Sequence, residues 1–140
     1  MANKTINKVL LRQEQNEMDQ IVVILLHTIA ERSQPQKRVL DLLAKLQLRV
    51  VAHLKDDEPF GVVGQRTRAY PELARECDAL CQTHSDLRDH FDRIMQLAAQ
   101  NNIDSEWWDE LELQFHGLCV KIGHYLSGEQ KLLEKIHDDF

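Results

Sequence analysis

Apolar residues recur along this chain at alternating spacings of three and four, which turns of 100° per residue collect on one face of a helix. One row runs Val39, Leu43, Leu46, Val50 and continues into His53 and Asp57. A longer one runs Leu73, Cys77, Leu80, His84, Leu87, Phe91, Ile94, Ala98. The last is Leu111, Phe115, Leu118, Ile122, Tyr125, Glu129, Leu132, Ile136, and the first, less regular, is Leu11, Met18, Ile21 with Val22, Leu25 and Ile29. Pro35, Pro59, Pro71, the Gly61-Val62-Val63-Gly64 segment and the run from Asn101 to Ser105 punctuate these rows. Together they predict helices over about 5–33, 36–58, 69–100 and 105–138. Rows of this kind suit helices packed nearly parallel or antiparallel, and short connections join antiparallel neighbours. The expected fold is all-α: one domain over 1–140, an up-down-up-down antiparallel four-helix bundle.

Polar residues interrupt these rows in a patterned way. Glu14 and Gln15 flank the first near its start, and His53 and Asp57 fall near the end of the second. His84, with Arg88 one turn on, lies on the third, and Glu129 is central in the fourth. Up-down topology brings the start of helix one and the ends of helices two and four to one end of the bundle, with the start of helix three. Buried charges are costly unless they pair or bind a metal, and bundles build metal sites from His and carboxylates on facing helices. A self-satisfied network of ion pairs, or a wet and frayed bundle end, accounts for the same residues without any ligand.

Composition narrows the function. The net charge is −6, and Lys and Arg are scattered among acids, so the basic patch of a nucleic-acid binder is absent. No apolar run approaches a membrane span, and the first residues lack the apolar core of a secretory signal, which leads us to expect a cytoplasmic protein with no membrane role. The odd set Cys77, Cys81, Cys119 suggests reduced thiols, the first two being small core residues. No catalytic triad spacing, P-loop, Gly-rich dinucleotide turn or His-Glu-x-x-His motif is present, and we expect no catalytic residues and no enzyme.

Three segments give the chain a family likeness: His53-Leu54-Lys55-Asp56-Asp57-Glu58-Pro59-Phe60, Thr83-His84-Ser85-Asp86-Leu87-Arg88, and His124-Tyr125-Leu126-Ser127-Gly128-Glu129. They resemble the hemerythrin-like (HHE) family, four-helix bundles holding a non-haem di-iron site in their core. The resemblance implies that His53 and Asp57 stand for the His-x-x-x-Glu pair closing helix two, and that His124 and Glu129 stand for the His and bridging carboxylate of helix four. His84 and Arg88 occupy the places of two ligand histidines, and Glu14-Gln15 the place where helix one offers another. Arg88 and Gln15 therefore replace two of the ligands. The implied metal is iron, in one of two forms. In a di-iron centre His84 and His124 serve one ion and His53 the other, bridged by Asp57 and Glu129, with Gln15 as a weak oxygen ligand. A mononuclear site of His53, Asp57, His84 and Glu129 is the second form. A metal-free bundle with an Arg88–carboxylate pair is the third reading. Five residues separate His124 from Glu129 and rotate it by about 140°, whereas Tyr125 faces inward. A one-residue change of phase would exchange Asp57 for Glu58.

Helix one is apolar nearly all round from Ile21 to Leu26, so Val23 and Ile24 project away from its row. They mark a surface for a homodimer or a protein partner, unless neighbouring helices cover both flanks. Tyr70-Pro71-Glu72-Leu73 and Glu129-Gln130-Lys131-Leu132-Leu133 carry a fainter resemblance to the bacterial regulators of sigma D, acidic bundles that sequester a sigma factor. His27, His90, His116 and His137 fall off the core faces and read as surface residues. One of Trp107 and Trp108 closes the far end of the core, and the other is expected to be partly exposed. The resulting expectation is a metal-binding sensor, store or regulator with a depleted site, rather than an oxygen carrier. Its alternative is a metal-free regulatory bundle that binds another protein.

Overall fold

The computed structural model describes residues 8–57 and 62–135. Four long helices, α1 (Lys8–Glu31), α2 (Gln36–Asp57), α4 (Ala74–Ala98) and α5 (Ser105–Glu134), make an all-α bundle, with a short α3 (Val62–Arg68) and a 3-10 turn (Pro71–Leu73) between α2 and α4. Among the described residues there is no strand. The helix α1 packs on α2 and α5, and α4 packs on α2 and α5, so the four long helices enclose one core.

Local chemistry sets several boundaries. Arg32 takes the left-handed conformation (φ 55°) just past α1, its N–H closing the last turn on the Thr28 carbonyl at 3.2 Å. Asp104 caps α5: its backbone is extended and its Oδ1 accepts from Trp107 N at 2.9 Å. Pro71, with its preset φ, opens the 3-10 turn that leads into α4.

The rows read from the sequence are the buried faces. In α2 Val39, Leu43, Leu46, Val50, His53 and Asp57 are all buried; in α4 the whole row from Cys77 to Ala98 is; in α5 the row runs from Leu111 to Leu132. In α1 only Met18, Leu25 and Ile29 of the row are buried, while Leu11, Ile21 and Val22 are half-covered. Full burial of each Leu, Ile or Phe contributes about 1.5–3 kcal/mol, so these rows are the main source of stability.

Contacts also tie particular helix ends together. At one end Gln36 Nε2 donates to the carbonyls of Ala98 and Gln100, both at 2.7 Å, and Arg32 pairs with Asp109 at 2.6 Å. At the other, Glu14 of α1 meets His53 of α2 and, through it, Glu129 of α5, while Lys135 pairs with Glu76 at the start of α4.

Three expectations need correction. The pattern predicts a break over Gly61–Gly64; Gly61 lies outside the described residues, but helix α3 begins at Val62, where packing against α2 and α4 overrides the weak helix propensity of valine and glycine. His90 is buried at 5 % exposure, its Nε2 donating to the Gln114 carbonyl at 3.0 Å, because the interface of α4 and α5 covers more of α4 than the central row. Trp107 and Trp108 are both buried, edge to face at 4.7 Å, with Trp107 Nε1 donating to the Leu97 carbonyl at 2.7 Å. His27 and His116 are exposed; Glu58, Ile136 and His137 lie outside the described residues.

Candidate functional site

The last turns of α2 and α5 bring His53, Asp57 and Glu129 into one buried cluster, at 2 %, 3 % and 0 % exposure. Each is on its helix's core row, so the periodicity that buries leucine elsewhere buries these polar groups here. His53 Nε2 lies 2.6 Å from Glu129 Oε1, and Nδ1 lies 3.1 Å from Glu14 Oε2 on α1. Tyr125, one turn before Glu129, donates its hydroxyl to Asp57 Oδ2 and stands 3.3 Å from Glu129 Oε2. Its ring sits edge-on to His53 and to the buried His84, at centroid distances of 6.0 and 5.7 Å.

Burial and proximity set the charges. Burial, then the hydrogen bond and charge of Glu129, push the Asp57 carboxyl up to about 10, with Tyr125 opposing them. Burial pulls on His53 in the downward direction, but Glu129 and then Glu14 outweigh it, and the net shift is upward. Burial likewise raises Glu129, and the donors His53, Asp57 and Tyr125 reverse this, so the net shift is downward. These shifts favour the proton-bearing forms of His53 and Asp57 and the ionised form of Glu129. Tyr125 is raised by burial and then by the charges of Glu129 and Asp57, and stays a neutral donor.

One ligand atom each from His53, Asp57 and Glu129 lie within 4.8 Å of one another. Glu14, His53 and Asp56 form a second such group, around the same histidine. Asp57 Oδ1 is buried without a hydrogen-bond partner. One imidazole and two carboxylates are a donor set suited to a first-row divalent ion, and the glutamate on Nδ1 fixes the imidazole ring as outer-shell carboxylates do in metal sites. The residues therefore fit a single ion.

His124 is a correction. Its side chain is exposed, and α5 continues as an unbroken α-helix from Ser105 to Glu134, so no bulge removes the rotation that separates it from Glu129. Of the two neighbours at the end of α2, Asp57 is the one that faces inward. Gln15 and Arg88 are half-buried.

Two contributors escaped the sequence reading. Asp56 joins the outer group with Glu14. Arg68 on α3 donates to the Asp57 carbonyl at 3.0 Å and approaches Cys81 Sγ at 2.8 Å, tying the end of α2 to α4. A basic residue facing helix-terminal carbonyls was the available signal, but it depends on α3, which the sequence presented as a break.

The chain matches no known protein family, no curated protein and no solved structure.

Proposed function

We propose that the protein is a hemerythrin-like, up-down-up-down antiparallel bundle whose polar end holds one metal ion, iron by the resemblance, and that it acts as a sensor, store or regulator rather than an oxygen carrier. The observation that carries this reading is the convergence of three buried donors, one of them the partnerless Asp57 Oδ1. The end-to-end contacts of Glu14 with His53, Gln36 with Ala98, Arg32 with Asp109 and Glu76 with Lys135 support the antiparallel order. Bound iron supplies a redox-active, Lewis-acidic centre. His53, Asp57 and Glu129 would hold the ion, Glu14 would orient His53, and Tyr125 would keep a proton on its hydroxyl oxygen between the two carboxylates. The three free cysteines support a reducing, cytoplasmic setting.

A second reading is favoured by a different feature of the cluster: both ring nitrogens of His53 already meet carboxylates. On that reading the end is a self-paired network, the protein is a metal-free regulator, and the exposed Val23 and Ile24 of α1 take a partner protein or a second copy. Elemental analysis of untagged protein after anaerobic loading with ferrous iron separates the two. The metal reading expects about one ion per chain, lost in Asp57→Leu. No bound metal overturns it in favour of the self-paired network, and about two ions restore the di-iron form.

A further inference from the structure

Beside the cluster, α4 and α5 part to leave a groove of about 500 Å³. Leu80, Tyr125, Gly128 and Leu132 form its apolar floor, with Ala79 and Thr83 on the α4 wall. Gly128 and Ala79 are the smallest residues in its lining, and a Cβ on Gly128 would stand 3.4 Å from Leu80 Cδ1. Its charged rim is uneven. The α5 side carries Lys121, His124, Lys131 and Lys135, and α4 carries Glu76 and Asp86. Lys135 is matched by Glu76 at 2.8 Å, so Lys121 and Lys131 outweigh Asp86 and make a cationic wall on a chain whose net charge is −6.

From this combination we infer that the groove binds an amphipathic organic anion, its apolar body on Leu80, Tyr125 and Leu132 and its anionic group toward the lysine-bearing α5 rim, at Lys121 or at Lys131. The volume is that of ordinary small-molecule sites, and the stretch of α5 from Lys121 to Lys135 rises about 21 Å, longer than a ten-carbon chain. An apolar floor alone accepts any greasy molecule; the lysine excess selects the charged one. Since the Tyr125 hydroxyl is held by Asp57 and Glu129, the occupant rests on a ring that also contacts the buried cluster. The inference stands whether or not a metal is bound.

Titration calorimetry of the full chain with decanoate tests it, with decan-1-ol as the uncharged body and acetate as the bare head. Expected is saturable binding of one decanoate, with acetate silent and decan-1-ol weaker by about tenfold. Reversing the wall in Lys121→Glu with Lys131→Glu should cost about tenfold as well. Filling the groove in Ala79→Phe, or in Thr83→Trp if the first variant loses its helical circular dichroism, should abolish binding. The inference is overturned by an absence of saturable binding, by equal affinity for decanoate and decan-1-ol, or by unchanged binding in the filled variant, which would move the ligand to another surface such as Val23 and Ile24.

Discussion

His90 shows how one buried side chain reports on its surroundings. Burial, then Lys121 across on α5 and later Arg93 on its own helix, lower its pKa below the ordinary 6.5, while the Gln114 carbonyl opposes them. Protonation therefore begins in the unfolded chain first. As pH falls below about 6.5 the unfolded state holds more protons and stability drops, levelling off below the lowered folded value. Urea unfolding between pH 7.5 and pH 5 should show a steeper loss in the native protein than in His90→Gln; equal slopes would remove His90 as the cause. The same ring explains why two helical glycines are not equivalent. A Cβ at Gly123 meets nothing within 4 Å, so Gly123→Ala should stabilise by about 0.5–1 kcal/mol through helix propensity. At Gly117 the new Cβ lands 3.3 Å from His90 Cε1, a ring held by the Gln114 carbonyl, and thermal melts should place Gly117→Ala below Gly123→Ala.

Among the elements, α5 depends most visibly on its first turn. Asp104 supplies the cap, Glu106 adds negative charge near the helix N-terminus, and Trp107 anchors the turn to Leu97. Asp104→Ala should cost about 1 kcal/mol in equilibrium unfolding, and Asp104→Asn much less, since either side chain accepts the bond from Trp107. The polar ends of α2 and α5 make a contrasting prediction. Removing one partner, as in Glu129→Leu, leaves His53 buried without its main counter-charge and should cost about 3–5 kcal/mol. Replacing both, His53→Leu with Glu129→Leu, should recover much of that loss, because a paired buried charge adds little net stability over an apolar pair. If the double variant is as unstable as the single one, the cluster is a structural requirement and its retention needs no ligand to explain it.

For the molecule as a whole, a ligand that binds only the folded chain must raise its stability. At a hundredfold excess over its dissociation constant, a metal on His53, Asp57 and Glu129 should add about 2.7 kcal/mol, lost on chelation. An unchanged melting temperature across a ferrous titration would agree with the self-paired network instead. Val23 and Ile24, 51 % and 44 % exposed, make association a property of the intact surface. If α1 docks a second copy, sedimentation velocity should show a concentration-dependent dimer that Val23→Lys with Ile24→Lys converts to monomer. A monomer at every concentration would rule out a second copy as the occupant of this face.

How far the chain could be read without its structure follows from what repeats in it. Helical faces repeat every three or four residues, so local order sufficed to place Leu43, Phe91 and Phe115 in the core and to carry His53, Asp57 and Glu129 inward with them. Rotation along a regular helix also separated Tyr125, which joined the cluster, from His124, which did not, even though the family resemblance offered His124 as a ligand. Where packing between distant segments outweighs periodicity, the pattern fell short. Helix α3 forms against α2 and α4 despite its glycine, His90 and the second tryptophan are covered by neighbouring helices, and Arg68 reaches the end of α2 only from α3. The groove between α4 and α5 belongs to the same category. Its lining joins Ala79 of α4 to Gly128 of α5, and residues 49 positions apart line one groove only when two helices are laid side by side.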